Sequence, residues 1–226
     1  MPHPSLGRLL AAEFVGTTLL LAVIVGSGIM AERLAGGNAA IALFVNTLAT
    51  GAGLLTLILM FAPISGAHFN PVVTLSASID REIEMREAAL FVSVQLAGAL
   101  LGVAIANLMF GFSVLHPSTK ERTGFAQWLG EFIATFGLIG VIISVSRRHP
   151  IPVTAVAVAA FISAAYWFTS STSFANPAVT IARSLTDTFT GIRPADAPGF
   201  VTAQILGALA STFVFNWLVP RQNRER

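Results

Sequence analysis

Two asparagine–proline pairs, Asn70-Pro71 and Asn176-Pro177, and two isolated carboxylates, Glu13 and Glu131, are the chemically telling residues of this 226-residue sequence. Asn is a strong helix N-cap and Pro is favoured at the first helical position, so each pair predicts a helix start. The residues ahead of them, 65–69 and 171–175, read as extended backbone. If the two starts meet, two positive dipole ends and two side-chain amides face one point. A water there must offer its oxygen to both amides. That interrupts the donor–acceptor chain a proton needs and repels cations, while neutral molecules with a lone pair pass. Glu13 and Glu131 each interrupt an apolar run, where a carboxylate is costly unless paired and marks a functional position. Bracing of the non-helical segments through their backbone N–H groups is the favoured role; a proton relay is the alternative.

The elements that position these groups follow from composition. The chain is 54% hydrophobic and 11% charged, against about 25% charged in a soluble domain, and its mean hydropathy is +0.77. Six apolar segments stand out at about Leu9–Ala31, Ala39–Phe61, Ala88–Phe110, Phe125–Val145, Val153–Thr169 and Val201–Val219. Each approaches the roughly 20 residues a bilayer-spanning helix needs. The first reads as a retained span, not a cleaved leader. The stretches Ile64–Ile79 and Ser173–Leu185 are too short to cross, and each carries an Asn-Pro pair. The expected fold is an all-α membrane protein of six transmembrane helices and two re-entrant half-helices, forming one domain over 1–226. Net charge is +2, which is no footprint for nucleic acid. Cys is absent, which excludes disulfides and thiol chemistry. The histidines, His3, His68, His116 and His149, show no metal-ligand spacing. Neither metal nor cofactor is expected.

Three segments recur in order. Asn70–Leu75 resembles Asn176–Ile181, Ala12–Thr17 resembles Gly130–Thr135, and Gln95–Leu100 resembles Gln204–Leu209. The halves run from about 1 to 112 and from 124 to 220. Each holds three crossings, an odd number, so the second half enters the membrane inverted and the half-helices dip in from opposite faces. With both termini in the cytoplasm, Arg8, Arg81, Arg86, Arg147, Arg148, Arg221, Arg224 and Arg226 lie inside. Arg33, Lys120, Arg122, Arg183 and Arg193 lie outside. This is the expected bias. Gly16, Gly98, Gly102, Gly137, Gly140 and Gly207 read as helix contacts, Gln95 and Gln204 as inter-helix hydrogen bonders. Trp128, Trp167 and Trp217 read as interface anchors.

Residues 65–71 and 174–178, with the Glu13 and Glu131 segments, resemble the signature boxes of the aquaporin, or major intrinsic protein, family. The resemblance covers nearly the whole chain. It implies a homotetramer with one pore per subunit and cytoplasmic termini. It places the central constriction at Asn70, Pro71, Val72, Asn176, Pro177 and Ala178. Two departures stand out. Val72 replaces the usual Ala, and Val179 stands where most members carry an arginine of the outer constriction. Ungapped counting places the rest of that filter at Thr50, Ala164 and Ser173. This expected filter has no cation, no His and no aromatic ring. The sequence also resembles the bacterial branch that lacks this arginine and is associated with arsenic resistance.

A wide, small, uncharged filter lowers the desolvation penalty for solutes with apolar surface. The expectation is a passive channel, not an enzyme, in a bacterial inner membrane amid lipid. Its partners would be small neutral solutes: glycerol-like polyols, urea, arsenite or methylarsenite, with water as a further candidate. The alternatives are a gradient-coupled secondary transporter of a small neutral metabolite and a structural membrane protein. Arg183 lies seven residues beyond Asn176, about 10 Å along a helix and near the same face. It reads either as a vestibule cation replacing the missing arginine or, with more weight, as a charge complementing its helix C-terminus.

Overall fold

A computed structural model describes residues 4–220 of the chain; His3, Arg221, Arg224 and Arg226 lie outside them. Six helices are long and apolar enough to cross a membrane. They are α1 (Leu6–Leu34), α2 (Ala39–Ser65), α4 (Met85–Met109), α5 (Phe125–Ser146), α6 (Ile151–Phe168) and α8 (Ala197–Leu218). Between them lie two short helices, α3 (Pro71–Ile79) and α7 (Pro177–Arg183). No strand occurs among the described residues beyond a single bridge between His116 and Thr186. The helices were expected, and their ends differ from those of the apolar runs by no more than four residues.

Their packing repeats across the halves. α1 packs against α4 as α5 packs against α8, and α2 meets α6 between the halves. Glycine permits the closest approaches. A Cβ on Gly98 would stand 2.5 Å from the Phe14 carbonyl oxygen, and one on Gly207 would stand 2.5 Å from that of Phe132. Only hydrogen lets these backbones meet. Most of the large apolar side chains that remain exposed, including Phe44, Leu48, Phe213 and Trp217, lie on spanning helices, as lipid-facing positions require. Trp128 and Trp167 are exposed near helix ends.

The half-helices begin as their caps dictate. Asn70 Oδ1 accepts from Val72 N at 3.0 Å. Asn176 Oδ1 accepts from Ala178 N at 2.9 Å and Val179 N at 3.2 Å. α3 and α7 touch, so the two starts meet. Each is preceded by non-glycine residues in the left-handed region: Ala67 and Phe69 before α3, and Thr172, Ser173 and Ala175 before α7. Such backbone persists only where its surroundings fix it.

Candidate functional site

The fixing groups are the two carboxylates. Glu13 has no solvent exposure. Its Oε1 accepts from Ser65 Oγ at 2.6 Å and His68 N at 3.0 Å, and its Oε2 from Phe69 N at 2.7 Å and Gln95 Nε2 at 2.8 Å. Glu131, equally buried, accepts from Phe174 N and Ala175 N at 2.8 Å and from Gln204 Nε2 at 2.6 Å. Charge-assisted bonds of this kind hold backbone firmly. Each glutamine donates again inside its own half, Gln95 to Thr74 Oγ1 at 2.9 Å and Gln204 to Thr180 Oγ1 at 2.8 Å. A carboxylate on one helix and an amide on another thus grip each re-entrant segment.

Across the pseudo-twofold the asparagines reach for each other's loops. Asn70 Nδ2 donates to the Ala175 carbonyl and Asn176 Nδ2 to the Phe69 carbonyl, both at 2.8 Å. Sequence reasoning expected these amides to turn to the lumen. Instead one N–H of each closes the contact between halves, and the second remains for the lumen.

A continuous cavity of about 320 Å³ passes this point. At the end nearer the termini its wall includes Asp80, Ser146, Arg147 and His149. At the middle it includes His68, Asn70, Val73 and Asn176, and at the far end Thr50, Tyr166, Ser173, Phe174, Val179 and Arg183. Of the six residues expected at the central constriction, only Asn70 and Asn176 line it. Pro71, Val72, Pro177 and Ala178 do not, because these first helical positions turn into the packing behind the caps. Val72 and Ala178 are buried there. Val73, one residue on, faces the cavity as Val179 does in the other half.

The outer end corrects the expected filter more strongly. Thr50, Ser173 and Val179 line the cavity, but Ala164 is exposed on the outside of α6 and takes no part. Tyr166 lines it instead, with its hydroxyl 3.4 Å from Thr50 Oγ1. The wall therefore contains aromatic rings, Tyr166 and Phe174, where the four residues expected as the filter include none. It contains a cation as well. Arg183 is buried, and its guanidinium carbon lies 3.4 Å from the Phe174 ring centroid. Its Nε donates to the Thr190 carbonyl, so the side chain is not spent on the last carbonyls of α7. Arg183 stands in the last turn of α7, as the dipole reading requires, and also forms part of the cavity wall, as the vestibule reading requires.

Sequence reasoning missed the residue that supports this end from outside. Arg122, in the α4–α5 connection, donates through Nε to the Gly191 carbonyl at 2.8 Å and through Nη1 to the Ser171 carbonyl at 3.2 Å. Its guanidinium carbon lies over the same Phe174 ring, 5.0 Å from the centroid. The same connection is tied to the 184–196 segment by Asp187, which accepts from Thr119 N at 2.9 Å. That bond helps hold the Asp187 carboxyl below its usual range. Lys120 donates to the Phe189 carbonyl at 2.7 Å. Partial burial, and then repulsion from Arg122 and Arg183, pulls its amine down to about 8. At the opposite end Arg147 bonds Asp80 at 2.8 Å and the Asn216 side chain and Val219 carbonyl at 2.5 Å, tying α3, α5 and α8 together. Among the described residues no group of acidic, His or Cys side chains is arranged to hold a metal.

Comparisons with known proteins agree with this geometry. The family model "Major intrinsic protein" matches residues 2–151. The chain is 50% identical over 219 residues to aquaglyceroporin AqpS of Rhizobium meliloti (strain 1021), covering 97% of this chain and 93% of that one. It is 34% identical over 151 residues to aquaporin NIP3-1 of Oryza sativa subsp. japonica, covering 64% of this chain and 47% of that one. The X-ray structure of the aquaglyceroporin from Plasmodium falciparum superposes with a TM-score of 0.75 over 96% of this chain and 98% of that one. Its 19% identity makes it similar in fold alone. The family match and the near full-length relative identify an integral multi-pass membrane protein, and the chain belongs to the major intrinsic protein family, whose members are passive channels for small solutes.

Proposed function

We propose that this chain conducts small uncharged solutes of polyol size: glycerol-like polyols, urea, arsenite and methylarsenite, with water as a further candidate. The observation that carries the reading is the outer wall of the cavity. Val179 presents a short apolar side chain to it beside the hydroxyls of Thr50 and Ser173, so a solute with apolar surface leaves less polar surface unpaired there. The relative covering nearly the whole chain is named an aquaglyceroporin, which supports the same class. In this reading Asn70 and Asn176 form the central constriction, and Thr50, Tyr166, Ser173 and Val179 form the filter. Glu13 and Glu131 brace the loops, and Arg183 is the vestibule cation. The protein works as a homotetramer in a bacterial inner membrane with both termini cytoplasmic.

Gradient coupling is disfavoured because both buried carboxylates already accept three or four hydrogen bonds. The test is a solute panel in proteoliposomes: water, glycerol, urea, arsenite and methylarsenite. The channel gives flux driven by concentration alone. Flux that needs an ion gradient refutes it. Val179→Arg is expected to reduce glycerol flux roughly tenfold and water flux less, since about 1.4 kcal/mol of added barrier suffices. Equal effects on both solutes would sink the filter assignment.

A further inference from the structure

Three cations gather at the end of the cavity away from the termini, and none of them makes an ion pair among the described residues. Arg183 and Arg122 approach one ring, with guanidinium carbons 3.4 and 5.0 Å from the Phe174 centroid. Lys120 lies two residues from Arg122, and its amine is lowered by burial first and by repulsion from Arg122 and Arg183 after it. The carboxylates around them are otherwise engaged: Asp187 accepts from Ser118 and Thr119, Glu32 from Phe189 N, Asp196 from Arg122 N and Arg193, and Glu131 from Phe174 N, Ala175 N and Gln204. Carbonyl oxygens satisfy Nε of Arg183, Nε and Nη1 of Arg122, and Nζ of Lys120.

That leaves the Arg183 fork. The residue is 3% exposed and forms part of the cavity wall, yet neither Nη atom has an acceptor among the described residues. Lower in the same wall, the buried Ser173 hydroxyl also lacks a partner. Two parallel N–H donors in a desolvated, positively charged mouth match two oxygens of a small oxyanion. Low-dielectric walls concentrate the field on it.

We propose that Arg183, with Arg122 and Lys120 behind it, forms an oxyanion-binding site in the mouth of the conduit away from the termini, and that a tetrahedral oxyanion seated there obstructs neutral solutes. The obstruction rests on the cavity being the solute path; the binding does not. Neutral cargo makes the effect asymmetric. The anion enters the mouth but cannot pass the two caps, whereas glycerol must pass both.

The experiment uses the full chain in right-side-out and inverted bacterial membrane vesicles. Glycerol flux is followed while inorganic sulfate replaces chloride at constant ionic strength and osmolarity. Sulfate is expected to inhibit from one face only, the face bearing residues 184–196. Arg183→Gln is expected to raise the half-inhibiting concentration roughly tenfold, each variant being referred to its own uninhibited flux. Arg183→Lys, a point charge without the fork, should raise it less, and Lys120→Gln about twofold. Inhibition equal from both faces, or unchanged in Arg183→Gln, overturns the proposal, as does none at 50 mM, a ceiling of about that order being generous for a charge-assisted site. Thermal unfolding of the purified wild type keeps the test independent of flux and of variant folding. At about 10 mM, where its general salting-out effect is small, sulfate should raise the midpoint saturably above that in chloride at equal ionic strength, and no difference overturns the site. Wild type without glycerol flux refutes the channel reading; flux that ignores sulfate refutes only this one.

Discussion

Replacing Glu131 by Gln tests the bracing of the second re-entrant segment with almost no change of shape. The carboxylate accepts through Oε1 from Phe174 N and through Oε2 from Ala175 N and Gln204 Nε2. A neutral amide offers one acceptor oxygen, and its NH2 must occupy the other site. In the better orientation that group meets the Phe174 N–H donor to donor; in the worse it meets two donors. At least one charge-assisted bond is lost and one buried N–H is orphaned. Each is worth about 1–3 kcal/mol, and relief of the carboxylate's desolvation returns part of it. A net loss of about 3 kcal/mol follows, or roughly a hundredfold in the population of the loosened segment. Amide hydrogen exchange at Phe174, Ala175 and Val179 should accelerate by about that factor in Glu131→Gln, and glycerol flux should fall with it. Exchange within about threefold of wild type would refute the bracing argument. Loss of flux with unchanged exchange would instead point to proton coupling.

Four further outcomes are expected. Gly207→Ala drives a methyl against the Phe132 carbonyl and should cost about 2–3 kcal/mol in thermal or denaturant unfolding. Gly7→Ala, which meets nothing within 4 Å, should change stability by less than about 0.5 kcal/mol. Arg147→Ala removes the cation from Asp80, which keeps the Asn216 Nδ2 bond at 2.6 Å, and should cost about 1.5–3 kcal/mol in the same assay. Tyr166→Ala should raise the flux of four-carbon polyols relative to glycerol several-fold, roughly the effect of 1 kcal/mol of barrier, while Ala164→Trp leaves that ratio unchanged; the reverse pattern would restore Ala164 to the filter.

The parts of this molecule legible in the sequence are those written locally. An Asn cap and a Pro in the first turn act within three residues, so both half-helix starts were readable, and so were six apolar runs. The inverted repeat followed from counting crossings. What escaped depends on how helices are rotated and on contacts between distant segments. Ala164 and Tyr166 differ by two residues, which on a helix is about 200°. An error of that size in the count back from Ser173 exchanges the conduit wall for the lipid face. It arose because the connection after Phe168 was counted without a gap. The stacking of Arg122 and Arg183 on Phe174 leaves no sequence pattern, since it joins the α4–α5 connection to the far end of α7. The one available hint was that Arg122 and Arg183 both fell on the same side by charge counting.

The reciprocal reach of Asn70 to the Ala175 carbonyl and of Asn176 to the Phe69 carbonyl bears on biogenesis. Neither half of the polypeptide can complete the waist of the passage alone, because each supplies the acceptor that its counterpart's amide requires. The first half therefore carries an amide donor and a carbonyl acceptor whose partners arrive only with the second half. Docking of the second re-entrant segment completes both bonds together, so neither constraint on the waist exists without the other.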